Sequence, residues 1–264
     1  MRTRLVWSLA IAAAVAITLW AQQPAAAPAP EGSKPGGKAG GKGKRGPVPP
    51  KGPLPRMADG KPDLNGLWRG STGDMRENLM PGEQIVLTPA AEKLMQSRMS
   101  KDDPEALCLP AGVPRLPPYP WRIVQIPNYV FVLFEANIHS YRQIFTDGRK
   151  HKPELNSWPT WYGDSVGTWE GDTLVVDTTG YNDRFWFDAK GHPHTDQLHT
   201  IERFMRKDLG TLVLETQIID PGSYVKPFKI SITAVLSPNE DLLEYICAEN
   251  NQDVSHIQND KSDR

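Results

Sequence analysis

The chain has 264 residues, 23% of them Asp, Glu, Lys or Arg, and a formal net charge of −1 at pH 7. That balance hides a split: residues 1–56 carry nine Lys and Arg against one acidic residue, which leaves 21 basic and 30 acidic residues in the remainder. An acidic folded part lacks the positive surface that phosphate backbones require, so nucleic-acid binding is excluded as a function class.

Arg2 and Arg4 precede an apolar run from Val6 to Trp20, closed by the small residue Ala21. This is the pattern of a secretory signal peptide over 1–21, too short for a membrane span, so the mature chain is expected to have none; an uncleaved N-terminal anchor is the alternative. Residues 22–55 are dominated by Pro, Gly, Ala and Lys. Little there can enter a core, so the segment predicts a disordered linker whose basic charge can touch anionic envelope components. Residues 56–264 remain as a single β-rich domain. Cys108 and Cys247 are the only cysteines, and in an exported chain such a pair predicts a disulfide, with two separate buried thiols as the alternative.

The domain opens with "DGKPDLNGLWRG". Gly66-x-Trp68 resembles the short signature that opens lipocalin-type barrels. The resemblance implies that the Trp plugs one barrel end and that a basic residue of a late strand packs on it. Thr88 and Pro89 predict a helix start, with a helix over 88–100 whose Leu94, Met95, Arg98 and Met99 share a face. Residues 101–127 are rich in Pro and read as an ordered loop. Strand patterns follow at 129–136 and 139–147 as a hairpin, and at 165–181 as a hairpin turning at Glu170-Gly171-Asp172. Another lies at 198–220, turning at Asp208-Leu209-Gly210, and a last pair at 226–238 and 242–248. The fold expected is all-β: an antiparallel meander closed into a lipocalin- or calycin-like barrel, with one short helix and long Pro-rich loops. A β-sandwich or jelly roll is the alternative.

Alternate residues of a strand share a face. From Leu198 one face carries Leu198, Thr200, Glu202 and Phe204, and the other His199, Ile201, Arg203 and Met205. Both faces mix apolar and charged groups, as suits a barrel whose interior is partly a binding cavity. Buried charges need partners, so Arg142, Glu135, Glu202 and Arg203 form either an internal ionic network or salt bridges on a solvent face. Aromatic residues crowd the stretch from Trp158 to Phe187. They line a cavity mouth for a sugar-like or ring-bearing ligand, or form a core belt. The ligand-binding candidates are Arg142, Trp161, Tyr162, Asn182, Trp186 and Arg203.

The stretch "GHPHTDQLHTIERF" (191–204) holds three of the six histidines. Acid–base work needs one imidazole oriented by a carboxylate. His194 or His199, paired with Asp196, Asp188 or Glu202, meets that need, so His194, His199, Glu202 and Asp196 are the catalytic candidates. A His-rich rim that only bonds its neighbours is the alternative. No cofactor is expected. A divalent metal would call on His192, His194 and His199, but Glu202 lies too far past His194 for a cupin-type motif, and strand parity puts His199 and Glu202 on opposite faces. The letters "GDSVG" (163–167) enter a hairpin rather than a strand-to-helix elbow, and neither a Walker A nor a dinucleotide glycine motif occurs.

The stretches "DGKPDLNGLW", "CLPAGVPR", "YRQIFTDGR", "VGTWEGDTLVVDTTGYNDRFWFD" and "GHPHTDQLHTIERF" together resemble a group of exported bacterial proteins of unassigned function. The resemblance spans most of 56–250. It implies export and one β-rich domain and no particular activity. His194, His199, Glu202, Arg203, Trp169, Asp172, Asp177, Asn182 and Asp183 stand at matching positions of that pattern. The function expected is that of an exported barrel binding a small molecule, with acid–base catalysis at the His/Asp/Glu cluster as an added capability. The alternatives are a metal-independent lyase, isomerase or hydrolase acting on a sugar or aromatic substrate, and a structural envelope module. A homodimer is a further option.

Overall fold

Alternating side chains dictate the architecture. The strands are β1 (Gly66–Gly70), β2 (Trp121–Ile126), β3 (Tyr129–Phe134), β4 (Ser140–Phe145), β5 (Asp164–Glu170), β6 (Thr173–Thr179), β7 (His199–Arg206), β8 (Thr211–Ile219) and β9 (Phe228–Leu236). They pair in chain order, and β9 returns to β1, so among the described residues the sheet closes into a nine-stranded barrel. Alternation runs longest in β7 and β8, where Thr200, Glu202, Phe204 and Arg206, then Leu212, Leu214, Thr216 and Ile218, are buried in turn. The computed structural model describes residues 48–70, 75–115, 119–135, 140–153, 158–247 and 249. The expected signal segment 1–21 and residues 22–47 of the expected linker lie outside them.

The short turns β2–β3, β5–β6 and β7–β8 gather at one end, called the lower end here. Gly171, at φ 59°, makes the tight reversal between β5 and β6 that its missing Cβ permits. The long connections gather at the other end. At the lower end Trp68 is fully buried and its indole N–H donates to Leu64 O at 3.1 Å. The Arg206 guanidinium, from β7, lies 5.0 Å from the Trp68 ring centre. It also donates to the backbone carbonyls of Asp63, Asn65, Asp208 and Leu209. One cation thus ties the start of the domain to the β7–β8 turn.

Several expectations are corrected. The meander is not wholly antiparallel: β4 and β5 run parallel, paired only at Ile144–Ser165 and Phe145–Val166. The 18 residues between them, 146–163, are long enough for the crossover that a parallel pair needs. The end of the Pro-rich stretch is not loop, because Trp121, Ile123 and Gln125 face inward and form β2. Residues 242–247 are not a strand, because β1 takes the edge of β9 that they would have needed. They run instead as a tail pinned by Leu243 N–H to Glu135 at 2.9 Å and by the Cys108–Cys247 disulfide. The helix α1 (Pro89–Ser97) is shorter than 88–100. Thr88 caps it by accepting from Ala91 N–H at 3.2 Å, and Ala91, not the Leu94 face, is buried against the body. The body also begins before residue 56: Leu209 N–H donates to Gly52 O at 3.1 Å, and Pro50 lies against Gly210.

The disulfide spans 139 residues of sequence, so it removes much freedom from the unfolded chain. Replacing both cysteines by serine is expected to lower the unfolding free energy by about 3–5 kcal/mol, read from urea denaturation with m fitted separately for each protein, since the unbridged unfolded chain is more expanded.

Candidate functional site

Inside the barrel, one band of polar groups is bonded across four strands. Arg142 of β4 points inward and meets both carboxylate oxygens of Glu202 from β7, one at 2.9 Å. Its remaining contacts are the hydroxyls of Ser165 (β5) at 3.0 Å and Thr178 (β6) at 2.9 Å, and Thr178 donates on to Ser165 at 3.0 Å. Strand parity explains the set: each of the four residues occupies an inward position of its own strand. Both charged side chains are 4% exposed. Burial works against the Arg142 cation, yet the Glu202 charge and hydrogen bonds hold its pKa above the usual value. Beside them Tyr181 bonds Thr200 at 2.7 Å, and burial pushes the Tyr181 phenol up.

Glu202 also faces a cavity of about 20 Å³, bounded by Trp121, Phe134, Phe204, Thr216 and Val113. That is room for one water-sized group. The Trp121 indole N–H is buried in this wall and has no acceptor among the described residues. Over the cavity lies the segment 112–114. Gly112 sits at φ 73°, and a Cβ there would come within 2.4 Å of the Phe185 ring, so only glycine lets the segment seat. Arg115 anchors it, with a two-pronged bond to Asp103 at 2.8 and 2.9 Å and a contact to Glu105 at 2.8 Å.

The three histidines of the 191–204 stretch go to three different places. His192 is fully buried, and its Nδ1 meets Asp188 at 2.7 Å. Burial pushes the Asp188 carboxyl up, but hydrogen bonds from His192 and Met75 bring it below its usual value. His194 lies between Phe185 and Phe187, at ring distances of 3.9 and 5.0 Å, and bonds Thr195 O through Nδ1 at 3.1 Å. Burial pushes its pKa down to about 4, so it is neutral at pH 7. The Nε2 atoms of both rings are buried without a partner among the described residues. His199 faces outward from β7 and meets Asp177 of β6 at 2.9 Å. Asp196 is exposed. His199 and Glu202 therefore lie on opposite faces of the sheet, as parity requires. Among the described residues no group of three or more His, Cys, Asp or Glu side chains is placed to hold a metal ion.

The other candidates divide between core and surface. Tyr162 stacks on Phe134 at 5.3 Å and bonds Ser140 at 2.8 Å, and burial pushes its phenol up to about 12. Trp161 leans on Phe185, and Trp186 carries the Arg98 guanidinium at 4.8 Å. Asn182 is buried, accepting from Arg184 N–H at 3.0 Å. Arg203 is outside, paired with Glu170 at 2.7 Å, so it does not join Arg142. Trp158 is 77% exposed.

Sequence reasoning missed His151, from the β4–β5 crossover. Its ring bridges Asp164 (Nδ1, 3.0 Å) and Asp177 (Nε2, 2.9 Å), and Asp177 also takes His199. A relay of carboxylate, imidazole, carboxylate and imidazole thus runs over the outer face of β5–β7. No motif surrounds His151, but outward Asp177 and His199 on neighbouring strands was a readable signal. Trp121 was missed with its strand. Comparison with protein-family models, with curated proteins and with solved structures finds no match.

Two outcomes are expected. Glu202→Gln leaves Arg142 as a buried charge without its counter-ion and should lower stability by about 3–5 kcal/mol in urea denaturation, while Arg142→Met/Glu202→Leu should recover much of the loss. His194 has a folded pKa below its unfolded value of 6.5, so the unfolded chain binds the extra proton. Its contribution is complete above pH 6.5 and is lost as pH falls towards 4, by about 3 kcal/mol in all. His194→Gln should flatten the stability profile over that window.

Proposed function

We propose that the protein is an exported, lipocalin-like barrel that encloses a small, uncharged, ring-bearing ligand in the chamber between Trp121, Phe134, Phe204 and Glu202. The observation that carries this reading is the buried Trp121 indole N–H beside the Arg142–Glu202 pair. A donor sealed in an apolar wall without an acceptor costs about 1–3 kcal/mol. A ligand oxygen would remove that cost, and a ligand hydroxyl would find Glu202 as its acceptor.

The walls are aromatic and aliphatic, which suits a ring. Arg142 and Glu202 neutralise each other, so a charged ligand would lose hydration without compensation. The closed chamber admits only a water-sized group. Entry therefore requires segment 112–114 to lift, and the Arg115 anchor sets how readily it does so. Export is supported by the Cys108–Cys247 bridge, since disulfides persist in oxidising compartments, and by the Arg-flanked apolar run at 6–20.

A second reading is favoured by the His151–Asp177–His199 relay. Its imidazoles are about a third exposed, at 31% and 32%. That is an accessible acid–base pair for a metal-independent lyase, isomerase or hydrolase. Turnover that persists in both His151→Ala and His199→Ala would remove it. A structural envelope module would need neither arrangement.

The test of the chamber is a thermal-shift screen with phenol, catechol and neutral aromatic alcohols, followed by calorimetry. A compound at a hundred times its Kd should add about 2.7 kcal/mol of stability. Trp121→Phe, which keeps the ring and removes the N–H, should weaken binding about tenfold. If no compound shifts the protein, or Trp121→Phe binds as well as the parent, the chamber is not the site.

A further inference from the structure

The lower end of the barrel holds a larger hollow. It measures about 310 Å³, against about 20 Å³ for the chamber above, and shares no lining residue with it. Its inner wall is Val130 and Gln125, both inward-facing, with Trp169 of β5 on one side. Its rim is the loop Met57–Asp59, the β2–β3 turn at Pro127–Asn128, and Thr146. The rim is held from outside. Arg56 forks onto Asp172 at 2.7 and 2.8 Å and donates to Gly60 O at 2.8 Å, which fixes the 57–60 loop against the β5–β6 turn. The opposite side is fixed by Thr146 N–H donating to Asn128 O at 2.8 Å.

We infer that this lower mouth is a binding site for a neutral saccharide. Three features argue for that class. The volume falls at the lower end of the range for small-ligand sites, and barrel mouths are among the places where such sites form. Trp169 offers an indole beside open space, the surface on which the C–H face of a sugar ring packs. The polar rim wants both donors and acceptors. Asp59 accepts only; it takes Lys61 N–H at 3.1 Å through Oδ1, and among the described residues Oδ2 has no hydrogen bond. The Asn128 amide and Thr146 hydroxyl both donate and accept, and neither side chain bonds another described residue. A hydroxyl-rich ring answers all three, where an aromatic ligand would leave them unpaired. The mouth brings together one carboxylate, Asp59, and one ammonium, Lys61, whose Nζ lies 5.9 Å from the Trp169 ring centre, so neither sign of ion is favoured over a neutral ligand.

This site does not depend on the chamber reading, and the experiment keeps the two apart. Glucose, N-acetylglucosamine and cellobiose are titrated into the full-length protein, with tryptophan fluorescence and calorimetry as readouts. Saturable binding of at least one is expected. Asp59→Ala and Asn128→Gly should each weaken it about tenfold or more, with unchanged thermal midpoints. Asn128→Gly is chosen because φ is 71° there, so glycine keeps the turn and removes only the amide. Trp121→Phe should leave saccharide affinity unchanged. The proposal is overturned if no probe saturates below about 50 mM. It is equally overturned if folded Asp59→Ala and Asn128→Gly bind as the parent does, or if only Trp121→Phe weakens binding.

Discussion

The Arg142 guanidinium joins four strands across the one place where the backbone does so least. β4 and β5 share only two paired positions, yet Arg142 reaches from β4 to Ser165 in β5, Thr178 in β6 and Glu202 in β7. In an apolar interior this arrangement tolerates no slip. A one-residue shift of β7 would carry Glu202 to the outer face and leave the cation without its counter-ion. A buried ion pair of this kind typically adds little stability over a well-packed apolar replacement; what it adds is a penalty on every other register. The closed ring and its two hollows follow from that register.

The ends of the barrel differ because their connections differ. Three short turns close the lower end, and they leave a shallow, partly polar mouth around Trp169. The upper end collects the long segments, and their aromatic side chains pack into a second core of Tyr181, Phe185, Phe187, Tyr224 and Phe228. Segment 112–114 rests on that core through Phe185. The upper cavity is small for this reason: residues that a sequence reading assigns to a cavity mouth are consumed as packing. His194 belongs to the same packing, held neutral between two rings.

Strands with clean alternation and a glycine turn were legible in the sequence, above all β5–β6 and β7–β8, as were the parity that separates His199 from Glu202 and the cysteine pair. β2 was hidden because the prolines just before it outweigh six strand-like residues. The stretch 242–248 misled because it is apolar in the way a strand is, while its apolar residues serve a tail held by Cys247 and Glu135. Arg142 and Glu202 were readable as charges needing partners, but which of the four charged candidates paired was not. Residues 60 positions apart meet only through barrel closure. His151 lay beyond pattern reasoning, since an irregular crossover has no period and its partners are set by where the loop falls.

The ring closes through its smallest member. β1 has five residues, and it must find Ile123 on one side and Val235 on the other. The β2–β3, β5–β6 and β7–β8 pairs need only short loops, so they can form early. β1 offers few contacts in return for the loop entropy of joining such distant segments. Without β1 in place, β2 and β9 would each present an open edge. The shortest strand therefore covers two edges at once, and its loss would expose both to pairing with neighbouring chains.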